Sequence, residues 1–277
     1  MNPVLDAFWR AAAYCLLPRV MLLSLAPLLL AGGATLALSY FYWEHAVAGV
    51  RALLDGWALI DTLLKSLEAV GAGGLRTLIG PLVVVALAVP VIMVLSLLLV
   101  ALLMLPALVS LVTQRRFVAL EARHGAAFWQ SALWSLSCTG VALLALGLSV
   151  PLWFVPPLVL VVPPLIWGWL TCRVMAFDVL AEHASAEERR AILRAHRWPL
   201  LAIGVICGYL GAAPTLLWAH GAATLVLAPL LVLVSVWLYT LVFAFGALWF
   251  AHYALAALQQ TRAVVTTPAA PGTKALP

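Results

Sequence analysis

Charge is what this 277-residue chain has least of: Asp, Glu, Lys and Arg make up 9% of it, against roughly 25% in a soluble domain. So few charges cannot cover a water-facing globule, and with 66% hydrophobic residues the composition is that of an integral membrane protein. Cysteine is scarce too. Cys15, Cys138, Cys172 and Cys207 stand in apolar surroundings with no CxxC spacing and no histidine placed to complete a ligand set, which excludes a zinc site and leaves four small buried residues. HExxH, GxSxG, a Walker-type phosphate loop and paired intramembrane aspartates are all missing, so no catalytic constellation, metal or cofactor is expected. Bases exceed acids, fifteen to ten, but they lie in the segments between apolar runs. Their excess reports membrane orientation and not nucleic-acid binding.

Long apolar runs are what remains, and the most informative covers residues 131 to 172, about forty residues broken by Pro151, Pro156, Pro157, Pro163 and Pro164. One membrane helix takes ~20 residues, so this run predicts two helices folded back on each other, entering and leaving on one side. A proline-rich turn leaves ~16 residues per arm, ~24 Å of helix against a ~30 Å hydrocarbon core. The turn is expected inside the membrane or barely at its far face.

The other segments follow from local signals. Asn2-Pro3 predicts a capped short helix with Val4, Phe8, Ala11, Ala12 and Cys15 on one face, lying at the interface. Residues 20 to 43 form the first span, closed by Tyr40, Phe41, Tyr42 and Trp43 where an aromatic belt belongs. The span starts only after nineteen residues and is long enough to cross, so a cleaved signal peptide is not expected. Residues 44 to 77 predict an amphipathic helix with Asp61 and Lys65 in ion-pair spacing, and 78 to 105 a second span. The connection 106 to 130 carries Arg115, Arg116 and Arg123, and Ser185 with Glu188 has the spacing of a capping box. A second broken run, 199 to 258, folds as another hairpin. The tail 259 to 277 is expected to be disordered.

The chain therefore reads as all-α and polytopic: one helical membrane domain over 1 to 258, with two long spanning helices, two proline-broken hairpins and about six apolar segments. By segment the bases number two, three, three, five and two, and only 44 to 77 pairs its three with a surplus of acid. That places 44 to 77 outside and both termini in the cytoplasm, with the protein multi-pass in the cell inner membrane.

The ordered motifs PLLLAGG (27–33), the basic segment from Pro106 to LEARHG (120–125), the Trp129/Trp134 start of the hairpin, WGWLTCRVMAFDVLAEH (167–183) and Gly204 ten residues before Pro214 resemble the CysZ-type sulfate permeases and the wider etoposide-induced protein 2.4 family. The resemblance covers about residues 5 to 257. It implies a helical fold with two long spans and two hairpins, and permeation of a small inorganic anion such as sulfate. Where sulfate-type members carry two arginines after the first proline, this chain has Met21 and Leu22, and Thr113 replaces an expected glutamate.

Candidate sites follow from what holds a dianion: backbone amides, helix N-termini, arginines and hydroxyls. In GYLGAAPT (208–215), Gly208, Gly211 and Thr215 offer that chemistry, or make a hairpin turn. Asp178 with Arg173 near the hairpin exit reads as a cap, an ion pair or a gate. Arg115 and Arg116 stand at the cytoplasmic mouth, as guides or anchors. His252, inside an apolar segment, is a functional candidate or a satisfied packing residue, and Gly204 with Gly208 permits close helix contact. Expected partners are the lipid bilayer and an inorganic anion, with a homo-oligomer left open and no nucleic acid. The competing reading is a non-transporting membrane scaffold or assembly factor. A polar path through the interior would favour permeation.

Overall fold

The structure, a computed structural model, describes residues 2–57, 75–121, 123, 126–213 and 223–266. Helices account for its elements, with no strand among the described residues. They are α1 (Pro3–Cys15), α2 (Pro18–Asp55), α3 (Leu75–Leu99), a π-helical turn (Val100–Met104), α4 (Leu105–Arg116), α5 (Phe128–Ser149), a 3-10 turn (Val150–Phe154), α6 (Pro156–Ala181), α7 (Ala186–Ala195), α8 (Arg197–Ala212) and α9 (Ala223–Thr266). Among the described residues, four apolar stretches are long enough to cross a membrane, Pro18–Leu53, Trp129–Phe154, Leu160–Ala181 and Leu230–Val264, and shorter ones lie at Leu78–Ala88 and Arg197–Gly211. The all-α polytopic architecture stands. Contacts divide it into two compact units, residues 1–24 with 104–277, and residues 25–103.

The larger unit is built on α9, which packs against α1, α4, α6, α7 and α8. From Ala244 to Leu258 this helix is apolar on nearly every face, His252 excepted, as a helix enclosed by protein tends to be: Leu248, Phe250, Ala251, Leu255 and Leu258 are completely buried. Helix α1 starts as expected, Val4 N–H donating to Asn2 Oδ1 at 3.2 Å with Pro3 in the first turn. It then lies on α9, where Phe8 meets Trp249 and Phe245 edge-on at 5.0 and 5.4 Å, and Trp249 Nε1 donates to the Val4 carbonyl at 3.1 Å. The buried face is Ala7, Ala11 and Cys15, turned slightly from the expected one.

The first hairpin forms where the prolines place it, but its arms are longer than expected. They are α5, with 22 residues, and α6, with 26, joined by the 3-10 turn at Pro151. At 1.5 Å per residue both exceed ~30 Å, enough to span. The arms grew because Pro163 and Pro164 are absorbed inside α6 and because that helix continues past Arg173 to Ala181. Helix α8 crosses α6 at glycines: a Cβ on Gly168 would lie 2.6 Å from Val205 Cα, and one on Gly204 would collide with the Gly168 carbonyl oxygen. Backbones this close require residues without side chains.

Two other boundaries move and one holds. Half of the connection expected over 106 to 130 is α4, with Pro106 in its first turn and Leu105, Leu108, Val109 and Val112 buried. The capping box at Ser185 and Glu188 opens α7 as read. The tail boundary at 258 falls inside α9, which runs to Thr266, because Gln259, Gln260 and Arg262 are good helix formers.

In the smaller unit, α2 does not close at Trp43 but continues to Asp55, leaving Tyr40, Phe41 and Tyr42 facing outward within it. Gly80 of α3 packs against Arg51 and Val47 of α2, a Cβ there lying 3.1 Å from Arg51 Cγ. The amphipathic reading of 58 to 74, with Asp61 and Lys65, and the turn at 214 to 222 lie outside the described residues.

Candidate functional site

Polar side chains in an apolar bundle cost free energy unless they are bonded, so their placement marks where the fold is built around something other than packing. The densest group gathers in the larger unit, where α1, α4 and α9 meet. Asp6 and Arg10 are one helical turn apart on α1, and Arg10 Nε donates to Asp6 Oδ2 at 2.8 Å. Arg116, at the end of α4, reaches the same carboxylate oxygen at 3.4 Å and presents its other nitrogen to His252 Nδ1 at 3.2 Å. Tyr14 stands edge-on to the His252 ring at 4.7 Å, and the Arg115 guanidinium lies 6.0 Å from the Tyr14 ring centre.

The hydrogen-bond roles follow from the donors. Arginine has no acceptor, so His252 Nδ1 must accept from Arg116 and the ring proton sits on Nε2. That Nε2 is fully buried and has no hydrogen-bond partner among the described residues. The Arg10 hydrogen bond and the charges of Arg10 and Arg116 hold the Asp6 carboxyl below its usual range against the opposing effect of burial. Burial, and then the positive charge of Arg10, push the Arg116 guanidinium below its own. One carboxylate thus faces both Arg10 and Arg116. The cluster holds a surplus of donors and of positive charge.

A second line of buried polar groups runs along α9. Trp237 Nε1 donates to Ser24 Oγ at 3.1 Å, Thr240 Oγ1 donates to the Ser24 carbonyl at 2.9 Å, and Ser235 is buried on the same helix. A third group closes the base of α7. Glu188 accepts from Arg262 at 2.9 and 3.0 Å and from Arg123 at 3.0 Å, while Arg262 also donates to the carbonyls of His183 and Glu121. The Arg262 hydrogen bonds pull the Glu188 carboxyl down to about 2.

The expected site residues are dispersed. Gly208 lies inside α8 against Gly168 and the Pro164 carbonyl, so its amide belongs to the helix and its surface to the α6 contact. Gly211, one turn on, has open space around it, and Thr215 is outside the described residues. Arg173 and Asp178 diverge because five residues turn a helix by about 140°. Arg173 stands 5.6 Å from the Trp169 ring centre, and Asp178 accepts from Ser131 Oγ on α5. Trp134 Nε1 donates to the Arg173 carbonyl at 3.2 Å, so these residues fasten the open end of the hairpin. Arg116 is an interior ligand of Asp6 and His252, and Arg115 reaches Tyr14. Sequence reasoning missed Asp6, Arg10 and Tyr14. The i,i+4 spacing of Asp6 and Arg10 was the available signal.

Comparison with known proteins agrees with this architecture. No curated protein and no solved structure matches the chain. The family model described as sulfate transporter CysZ/etoposide-induced protein 2.4 matches residues 7–221, most of the chain and all of the broken hairpin. A polytopic helical membrane protein with this motif order and this match belongs to the sulfate transporter CysZ/etoposide-induced protein 2.4 family.

Proposed function

We propose that this protein lets a small inorganic anion, sulfate first among them, cross the cell inner membrane, with both termini in the cytoplasm. The observation that carries the reading is the cluster of Asp6, Arg10, Arg116 and His252, which holds more donors and more positive charge than its one carboxylate can satisfy. Such a surplus suits a transient anionic guest. Buried Ser24, Ser235 and Thr240 add polarity to an interior that a purely scaffolding bundle would keep apolar. Gly211, open on α8 and close in sequence to Thr215, supplies a further candidate for the path. Met21 and Leu22, standing where sulfate-type members have arginines, favour weak affinity and loose selectivity among anions.

Flux of labelled sulfate into liposomes carrying the purified chain tests this. Wild-type protein is expected to exceed empty vesicles, and Arg116→Gln to lower the flux about tenfold through loss of a charge-assisted donor. Wild-type vesicles passing no more sulfate, chloride or thiosulfate than empty ones would end the permeation reading in favour of the scaffold.

A further inference from the structure

Helix α1 is divided lengthwise into three faces, of which the bundle occupies two. Ala7, Ala11 and Cys15 share the face buried on α9, and Asp6, Arg10 and Tyr14 share the one turned toward Arg116 and His252. Leu5, Trp9 and Leu16 make up the third, within about 40° of one another at 3.6 residues per turn. They point outward, Trp9 at 67% and Leu16 at 72% exposure, and Phe8 meets the Trp9 ring edge-on at 5.3 Å. This is not the face that the sequence spacing picks out, which α9 covers.

Two observations bear on what lies against it. The first is depth. Helix α9 starts at Ala223, and its outward-facing residues Leu230, Leu233 and Val236 give way to enclosed ones at Ala244. From Ala223 to Ala244 is about 32 Å of helix, one hydrocarbon thickness. Phe8 lies on Phe245 and Trp249, just past that limit, so α1 crosses α9 at the level of the headgroups. The second is continuity. The apolar stretch Pro18–Leu53 opens two residues after Leu16, and Leu22 faces outward from it, so the strip of Leu5, Trp9 and Leu16 runs into a surface built to meet lipid.

We propose that the third face of α1 lies on the bilayer, with Leu5, Trp9 and Leu16 at the boundary between headgroups and acyl chains and the exposed Arg10 and Arg19 on the water side. An indole with one polar edge, flanked by arginines, suits that boundary. At 13 residues α1 is about 20 Å long and lies along the membrane without crossing it. A second copy of the chain fits less well. Three side chains of this size offer roughly 400 Å², about half of what each partner of a stable pair buries. The anchor is independent of the anion path and stands whether or not sulfate permeates.

Nitroxide labels test the assignment in the full chain reconstituted into phosphatidylglycerol and phosphatidylcholine vesicles. The label is attached through Leu5→Cys, Trp9→Cys or Leu16→Cys, one at a time, with Leu233→Cys on α9 as the lipid reference and Glu187→Cys on α7 as the water reference. The native cysteines are buried and stay in place, the unsubstituted chain giving the background. The ratio of collisions with oxygen to collisions with a polar nickel chelate should be severalfold higher at all three positions than at 187, and closer to the value at 233. If Trp9→Cys fails to fold, positions 5 and 16 decide the matter. A ratio closer to that at 187 at any of these positions overturns the proposal by placing the face in water. Labels that collide with neither reagent overturn it too, by showing protein against the face, as a second copy would be.

Discussion

The two halves of α9 are written in nearly the same alphabet and meet opposite surroundings. Leu230, Leu233 and Val236 in the first half face outward, whereas in the second Ala247, Leu248, Phe250, Ala251, Ala254, Leu255 and Leu258 are wholly enclosed. Hydropathy cannot tell them apart, because lipid tails are as apolar as a protein core. Small residues can. Ala244, Ala247, Ala251, Ala254 and Ala257 let neighbouring helices approach, and Gly246 meets Cys207 of α8, where a Cβ would stand 3.3 Å from Sγ.

That contrast yields graded expectations. The largest effect belongs to the tightest packing: Gly204→Leu should cost about 4 kcal/mol or abolish folding, while Gly211→Leu, with open space around it, should stay within ~0.5 kcal/mol. Thermal unfolding in detergent would compare them, and equal effects would break the distinction between protein-facing and outward-facing positions. Next, Phe250→Ala should cost about 3–5 kcal/mol and Leu233→Ala within ~0.5 kcal/mol, although both are large apolar residues of one helix.

A smaller effect concerns the end of the enclosed half. Arg262→Gln removes a paired donor from Glu188 and should cost about 1–2 kcal/mol. The pH dependence has a definite sign. The folded carboxyl, at about 2, lies below its ordinary 4.5, so this pair's stabilisation is fully present above pH 4.5 and fades as pH falls toward 2. Unfolding followed across that window should be steeper in wild type than in Arg262→Gln. Identical slopes would mean that the pair holds no stability.

Elements whose cause is local were legible in the chain. Asn2-Pro3, the Ser185/Glu188 box and the proline-broken run 131 to 172 each carry their own signal within a few residues, and each produced the expected element. Helix ends were less legible, since Arg173 and Gln259 look like exits from the membrane but are also good helix formers, and α6 and α9 run through them. The polar cluster was least legible. Arg116 finds Asp6 across 110 residues and His252 across 136, and no spacing rule reaches that far. Arg173 and Asp178 illustrate the converse, near in the chain and turned apart by the helix that carries them.

The α6–α8 crossing implies a pattern in genotype. In a saturation library read by growth or by surface expression, codons 168 and 204 should lose every non-glycine allele, because even a single carbon there meets backbone. Codon 208 should keep alanine and shed larger residues, since a Cβ at that position finds its first neighbour at 3.7 Å. Codons 32, 33, 140 and 147, whose glycines have nothing within 4 Å, should accept broad replacement. Glycine would then be two different letters in this gene, one nearly immutable and one nearly silent.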